Sequence, residues 1–202
     1  MAAARTRLSR ELVLAAAMDL ADREGAEAMT VRRLAEDLGV HPTSLYNHVS
    51  NKGAVLDGIV ELLFLEVTLP PGDTSWQDWV RSFANSLRDL ARAHPGAFMV
   101  LTRRPAENRA AYDLTEVGLQ AFRSAGFPTV QALQAVRAVS LALLGLALNE
   151  CPPMGDWVDP GDTGWAEHPR LREAAGAWRP EDEDGHWELM VEAIVAGLHP
   201  AR

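Results

Sequence analysis

The sequence predicts an all-α protein. Alanine, leucine and valine dominate a chain that is 48% apolar. Those apolar residues recur at three- and four-residue spacing, and the alternating β-branched or aromatic runs that mark strands are scarce. At 202 residues the chain has room for one sizeable core, or for a small domain joined to a larger one.

The elements follow in order. From Ser9, an expected N-cap, Leu12, Leu14, Ala15, Met18 and Ala21 keep helical spacing up to a stop at Gly25. Thr30 is expected to cap a second, short helix that turns Val31, Leu34, Ala35 and Leu38 to one side and ends at Gly39. "HPTSLYNHV" restarts the helix with Pro42 in its first turn, where a missing N–H costs nothing, and gives only Leu45 and Val49 to the core. Ser50 or Asn51 caps a longer connecting helix of about 52–66 carrying Val55, Leu56, Ile59, Val60 and Leu63. "TLPPGDTSW" then breaks the pattern and sets a boundary between domains 1–66 and 74–202. Helices are expected over Trp76–His94, a short segment near Pro95–Thr102, Pro105–Ala125 and Thr129–Glu150. A Pro-, Gly- and Asp-rich loop over 151–169 follows. The last helix comes after the acids at 181–184, which favour the positive end of its dipole.

Composition narrows function. No apolar run in the sequence approaches the roughly 20 residues that cross a bilayer, the N-terminus lacks a signal-peptide core, and one cysteine, Cys151, fits a reducing compartment. The expectation is a cytoplasmic protein without a membrane partner. The net charge of −9 disfavours nucleic acid at first sight, yet it is uneven. Residues 1–57 hold seven Lys/Arg against eight Asp/Glu, whereas 58–202 hold twelve against twenty. A near-neutral head with Arg5, Arg7, Arg10, Arg32, Arg33 and Lys52 can meet phosphate while the acidic remainder points away.

Two short helices joined by a glycine-containing turn form a helix-turn-helix shape. Gly39 supplies the left-handed turn residue, and Ala35 lets the helices approach. The second helix presents His41, Pro42, Thr43, Ser44, Tyr46, Asn47 and His48, short donors and acceptors suited to base edges and phosphates, where a merely solvated helix would carry Glu, Lys and Ala. Thr30 and Lys52 flank that surface as phosphate contacts. No catalytic residue is expected, because the six histidines show no metal-ligand spacing, no GxSxG turn surrounds any serine, and Cys151 lacks a nucleophile signature.

The run "ELVLAAAMDLADREGAEAMTVRRLAEDLGVHPTSLYNHVSNKGAVLDGI" resembles the N-terminal DNA-binding domain of the TetR family of one-component regulators. "SWQDWVRSFANSLRDLARAHPGAFMVLTRRP" and "GLQAFRSAGFPTVQALQAVRAVSLALLGLALNE" resemble the ligand-binding and dimerisation core of its tetracycline-repressor branch. The resemblance implies a homodimer reading a palindromic operator in double-stranded DNA, usually as a repressor. By position it assigns base and phosphate contacts to Arg32, His41, Pro42, Thr43 and Tyr46, with Lys52 as phosphate anchor.

Tetracycline repressors hold drug and magnesium through an asparagine, a histidine and a glutamate of the partner subunit. The matching positions here are Phe83, Val100 and Asn149, with Glu150 one residue from the last. Phenylalanine and valine offer a hard cation no ligand atom, so no metal or cofactor is expected, and the effector is expected to be an organic molecule other than magnesium-tetracycline. Arg104 and Pro105 match the family's pocket-wall turn, and Thr68, Leu87, Thr115, Leu133, Val136 and Leu141 are further wall candidates. The helices Thr129–Glu150 and Trp187–Leu198 resemble the family's dimer interface, with Val139, Leu143, Leu146, Met190 and Ile194 as its residues. The alternative reading is a regulator-like dimer that acts through a protein partner after losing sensing or DNA binding.

Overall fold

The computed structural model describes residues 8–70, 73–151, 167–179 and 182–200, and among these there is no strand. Helix α1 spans Arg10–Glu24, its N-terminus capped by the Ser9 hydroxyl, which accepts the Leu12 N–H. Thr30 caps α2, Val31–Asp37, in the same way through the Arg33 N–H. Gly39 follows at φ 63°, a left-handed turn that a residue with a Cβ resists. The turn is closed by the Val40 N–H donating to the Ala35 carbonyl.

Helix α3 is a single turn, Pro42–Leu45, shorter than the periodicity predicts. Tyr46, Asn47 and His48 form a turn closed by the His48 and Val49 N–H groups on the Leu45 carbonyl, and Asn51 caps α4, Lys52–Glu66. Poor helix formers between two caps leave α3 nowhere to extend. Leu34, Ala35, Leu45, Val49, Val55, Ile59 and the inner side of α1 close a common core. That inner side consists of Val13, Leu14, Ala17, Leu20 and Ala21, whereas Leu12 is half-buried and Ala15 exposed.

After α4 come α5 (Trp76–Ala93), α6 (Pro95–Phe98) with a 3-10 turn over Met99–Thr102, α7 (Arg109–Ser124) and α8 (Thr129–Ala147) with a 3-10 turn over Leu148–Glu150. Helix α7 starts four residues later than expected because Asn108, not Pro105, caps it through the Ala111 N–H. A short α9, Pro169–Ala177, lies where the sequence suggests only the end of a loop, and α10 runs Asp182–Gly197. The greater part of the expected 151–169 loop, and Arg5 and Arg7, fall outside the described residues.

The larger core is aromatic. Trp76 stacks on Phe122 at 5.1 Å, Phe127 meets Phe122 edge-on at 5.1 Å, and Trp79 stacks on Phe83 at 5.3 Å. Helix α10 is fastened to α5 by charge: Arg88 sits 4.8 Å over the Trp187 ring and bonds Asp184 at 2.7 Å, and Arg81 forks onto Glu192, while Arg88 and Arg92 also grip Glu150 of the turn after α8 (2.6 and 2.8 Å). The Glu192 carboxyl is held below its usual range by that guanidinium.

Besides the packing of α7 against α4, the two halves meet at two further joints. At the first, α6 lies against α1 so closely that a Cβ on Gly96 would overlap the Ala21 carbonyl oxygen. Here Asp22 accepts the Ala97 N–H and His94 Nδ1, both at 2.8 Å. At the second, the turn after Met99 touches α4: Arg104 holds Asp57 at 2.5 Å and approaches the Gly53 carbonyl at 3.4 Å, and Arg103 pairs with Glu27.

Candidate nucleic-acid interface and ligand cavity

At the elbow between α2 and α3, Leu45 and Val49 anchor the polar segment from below while its other side chains stay at the surface. Tyr46 is 54% exposed although large and apolar, and Thr43 and Asn47 are exposed beside it. Ser44, His48 and Pro42 are half-buried. His41 caps α3: its Nδ1 lies 2.9 Å from the Thr43 hydroxyl and accepts the Thr43 N–H at 3.4 Å. The turn thus consumes one imidazole nitrogen and leaves Nε2 for an outside partner. Thr30 spends its hydroxyl oxygen on capping and keeps its proton.

Charge around this surface is sorted by ion pairs that spacing alone does not reveal. Arg33 bonds Glu24 at 2.5 Å, Arg23 bridges Asp19 and Asp37, and Arg10 holds Glu61. These carboxylates raise the Arg23 and Arg33 pKa values further and spend both residues on fixing α1 against α2. Arg32 is different, with 85% of its side chain exposed and a single i,i+4 contact to Glu36. Lys52 Nζ reaches only the Glu27 carbonyl at 3.5 Å. Among the described residues, the cations left for phosphate near the elbow are therefore Arg32 and Lys52.

In the second half a cavity of about 320 Å³ opens between α4, α5, α7, α8 and the turn after Met99. Six expected residues line it: Phe83, Leu87, Arg104, Thr115, Val136 and Leu141. Sequence reasoning missed Phe64, Trp79, Leu101, Leu114, Arg137 and Leu144, which arrive from distant elements. Thr68 is elsewhere, its N–H on the Ser86 hydroxyl. Val100 is buried beside the cavity without lining it, while Pro105, Leu133 and Asn149 face solvent. Glu150 is tied up by Arg88 and Arg92 and cannot serve as a free ligand. Among the described residues no three of His, Cys, Asp and Glu gather as a metal site. Burial pushes the Cys151 thiol up to about 11, which removes its nucleophile at neutral pH.

The expected dimer residues also need correction. Val139, Leu143 and Leu146 are 1, 0 and 8% exposed and belong to the chain's own core, and Ile194 is half-buried. The outward side of α8 is instead Val130, Leu133, Ala138, Leu141, Ala142 and Gly145, and α10 exposes Leu189 and Met190. Because α8 is apolar on both sides, Thr129–Glu150 is long and apolar enough by composition to cross a membrane, and 39% of that window is buried within the fold.

A capped helix-turn-helix with a polar outer surface, joined to a helical domain enclosing an apolar cavity, defines a DNA-binding regulator with a separate chamber for a small molecule. Residues 13–59 match the family described as bacterial regulatory proteins, tetR family, and residues 69–201 match the tetracyclin repressor-like C-terminal domain. The chain is 34% identical to an HTH-type transcriptional regulator of Saccharopolyspora erythraea, over 95% of its own length and 84% of the relative's. It is 35% identical to the class D tetracycline repressor protein of Escherichia coli, over 95% and 89%. Among solved structures, Streptomyces coelicolor ActR in complex with actinorhodin superposes with a TM-score of 0.77 at 26% identity, covering 95% of this chain and 97% of that one. The chain belongs to the TetR family and is a DNA-binding transcriptional regulator rather than an enzyme.

Proposed function

We propose that the protein is a cytoplasmic repressor that binds a palindromic operator as a homodimer and is released by a small organic ligand in the cavity of its second domain. The observation that carries the reading is the division of labour among the arginines. Arg10, Arg23 and Arg33 are each paired with carboxylates of other helices, while Arg32, with only an i,i+4 contact, and the polar residues Thr43, Tyr46 and Asn47 face outward on a rigid elbow.

The outward apolar stripe of α8, with Leu141 67% exposed and small residues at 138, 142 and 145, together with Leu189 and Met190 supports pairing with a second copy. Such a pair would set two readers about 34–36 Å apart, one turn of duplex. Arg104 belongs both to the cavity wall and to the ion pair with Asp57 on α4. A ligand that moves the turn after Met99 therefore pulls on the helix that carries the reader, so ligand and operator oppose each other by linkage. Phe83 and Val100 give a magnesium-tetracycline complex nothing to bind. ActR, solved with actinorhodin, makes a cyclic organic effector a reasonable class to screen first.

Selection of bound duplexes from a randomised pool, followed by salt titration of the winner, tests this. A palindrome whose affinity falls steeply with salt is expected, and Tyr46→Ala should weaken it about tenfold or more without altering the dimer. Folded, dimeric protein that enriches nothing at low salt would refute the reading.

A further inference from the structure

The cavity wall contains two guanidinium groups, Arg104 and Arg137, and no carboxylate. Arg104 is already neutralised by Asp57. Arg137, on the outer edge of α8, has no hydrogen bond or ion pair to any described residue. The other polar groups sharpen this imbalance. The Thr115 hydroxyl donates to the Ala111 carbonyl and the Ser140 hydroxyl to the Val136 carbonyl, both at 2.8 Å. Their protons are spent, so toward the cavity these oxygens only accept. Apart from the buried Trp79 indole N–H, the free donor of the lining is thus the cationic Arg137, and the two hydroxyl oxygens are acceptors. Opposite them stand Phe64, Trp79, Phe83, Leu87 and Leu144.

We propose that the effector is an organic acid: a flat, apolar, ring-containing body held against the aromatic wall, with one anionic group received by Arg137. This rests on the reading of the cavity as the ligand chamber and deepens it by naming the ligand class. A cationic ligand would meet the unpaired Arg137 and no carboxylate in the lining. A neutral hydrocarbon would leave the exposed Arg137 guanidinium to water and gain nothing from it. A delocalised planar cation that is weakly hydrated and always charged suits a carboxylate, sulfonate or ionised phenol at the mouth of an apolar chamber. That the positive lining lies in the half carrying twelve Lys/Arg against twenty Asp/Glu marks it as a local device, since the surrounding charge repels anions. Hydroxyl or amino groups on the ring body would find acceptors at Thr115 and Ser140.

The test uses two fluorescent probes with the same ring body, anilinonaphthalene sulfonate, which is anionic, and N-phenylnaphthylamine, which is neutral. Each is titrated into the full-length protein and three variants. Arg137→Gln should weaken the anionic probe about tenfold and leave the neutral one within about twofold, while Arg137→Lys should recover most of the loss. Thr115→Trp, which fills the chamber, should abolish both. If Arg137→Gln affects both probes equally or neither, the acid class is wrong although the chamber stands. If Thr115→Trp folds and leaves both probes bound, the chamber is not the site, and the proposal fails together with that part of the functional reading. Operator binding enters neither measurement, so a failure of the DNA reading would show only in the duplex selection.

Discussion

The two joints between the reader and the second domain are built from different materials. Where α6 meets α1 the contact is backbone on backbone: only a glycine at 96 fits against the Ala21 carbonyl, and Asp22 closes the joint by accepting the Ala97 N–H. Where the turn after Met99 meets α4 the contact is ionic and partly wet, with the Arg104 and Asp57 side chains 33 and 54% exposed. A close-packed joint has one arrangement, because sliding it opens voids or overlaps atoms. An exposed ion pair can be exchanged for water or for a ligand at small cost. In the proposed release by ligand, the first joint would serve as the fulcrum and the second as the part that lets go.

The largest expected effect lies at the fulcrum. Gly96→Val should destabilise by about 3 kcal/mol, because the added Cβ and its two methyl groups must displace the α1 backbone rather than a flexible side-chain end. The midpoint of denaturant unfolding measures it. A stable Gly96→Val protein with an unaltered slope would show that the joint is soft and that the comparison is drawn wrongly. Next comes Asp22→Ala, which strips the part-buried Ala97 N–H of its acceptor and His94 of its partner, at a cost of about 1–3 kcal/mol. Asp22→Asn keeps an acceptor oxygen and should lose less than half of that. Equal losses would mean that the carboxylate charge, not the hydrogen bond, holds the joint.

What could be read in advance follows the same distinction between local and long-range determinants. Ser9, Thr30 and Gly39 declare their roles because capping and a left-handed turn are decided within a few residues. Helix α1 has alanines on every side, so its inward set, Val13, Ala17 and Leu20 with Leu14 and Ala21, differs from the one periodicity suggests. Helix α8 is harder still, since both of its sides are apolar. Val139, Leu143 and Leu146 look like interface residues but fill the core, and the free side sits at Ala138, Leu141 and Ala142. More than half of the cavity wall was unreadable because Phe64, Trp79 and Arg137 meet only once α4, α5 and α8 are packed. The ion pairs that take Arg10 and Arg33 away from DNA join residues on different helices and leave no periodic trace.

The smallest effect on stability is expected at the second joint, and it is the most informative. Asp57→Asn removes the charge opposite Arg104 while keeping the size of the side chain. With the pair as exposed as it is, the unfolding midpoint should move by less than about 1 kcal/mol. Local motion should change much more. Backbone amides over 99–106 should exchange with solvent several-fold faster in the variant, because the turn loses its tie to α4 and keeps no comparable one beyond the Arg103–Glu27 pair. Amides of α6 should be unaffected, since Asp22 and the Gly96 contact hold them independently. Faster exchange confined to 99–106 would make Arg104 the releasable link between cavity and reader. Acceleration spreading into α6 would mean that the two joints open as one unit, and that a ligand acting on Arg104 must loosen the fulcrum as well.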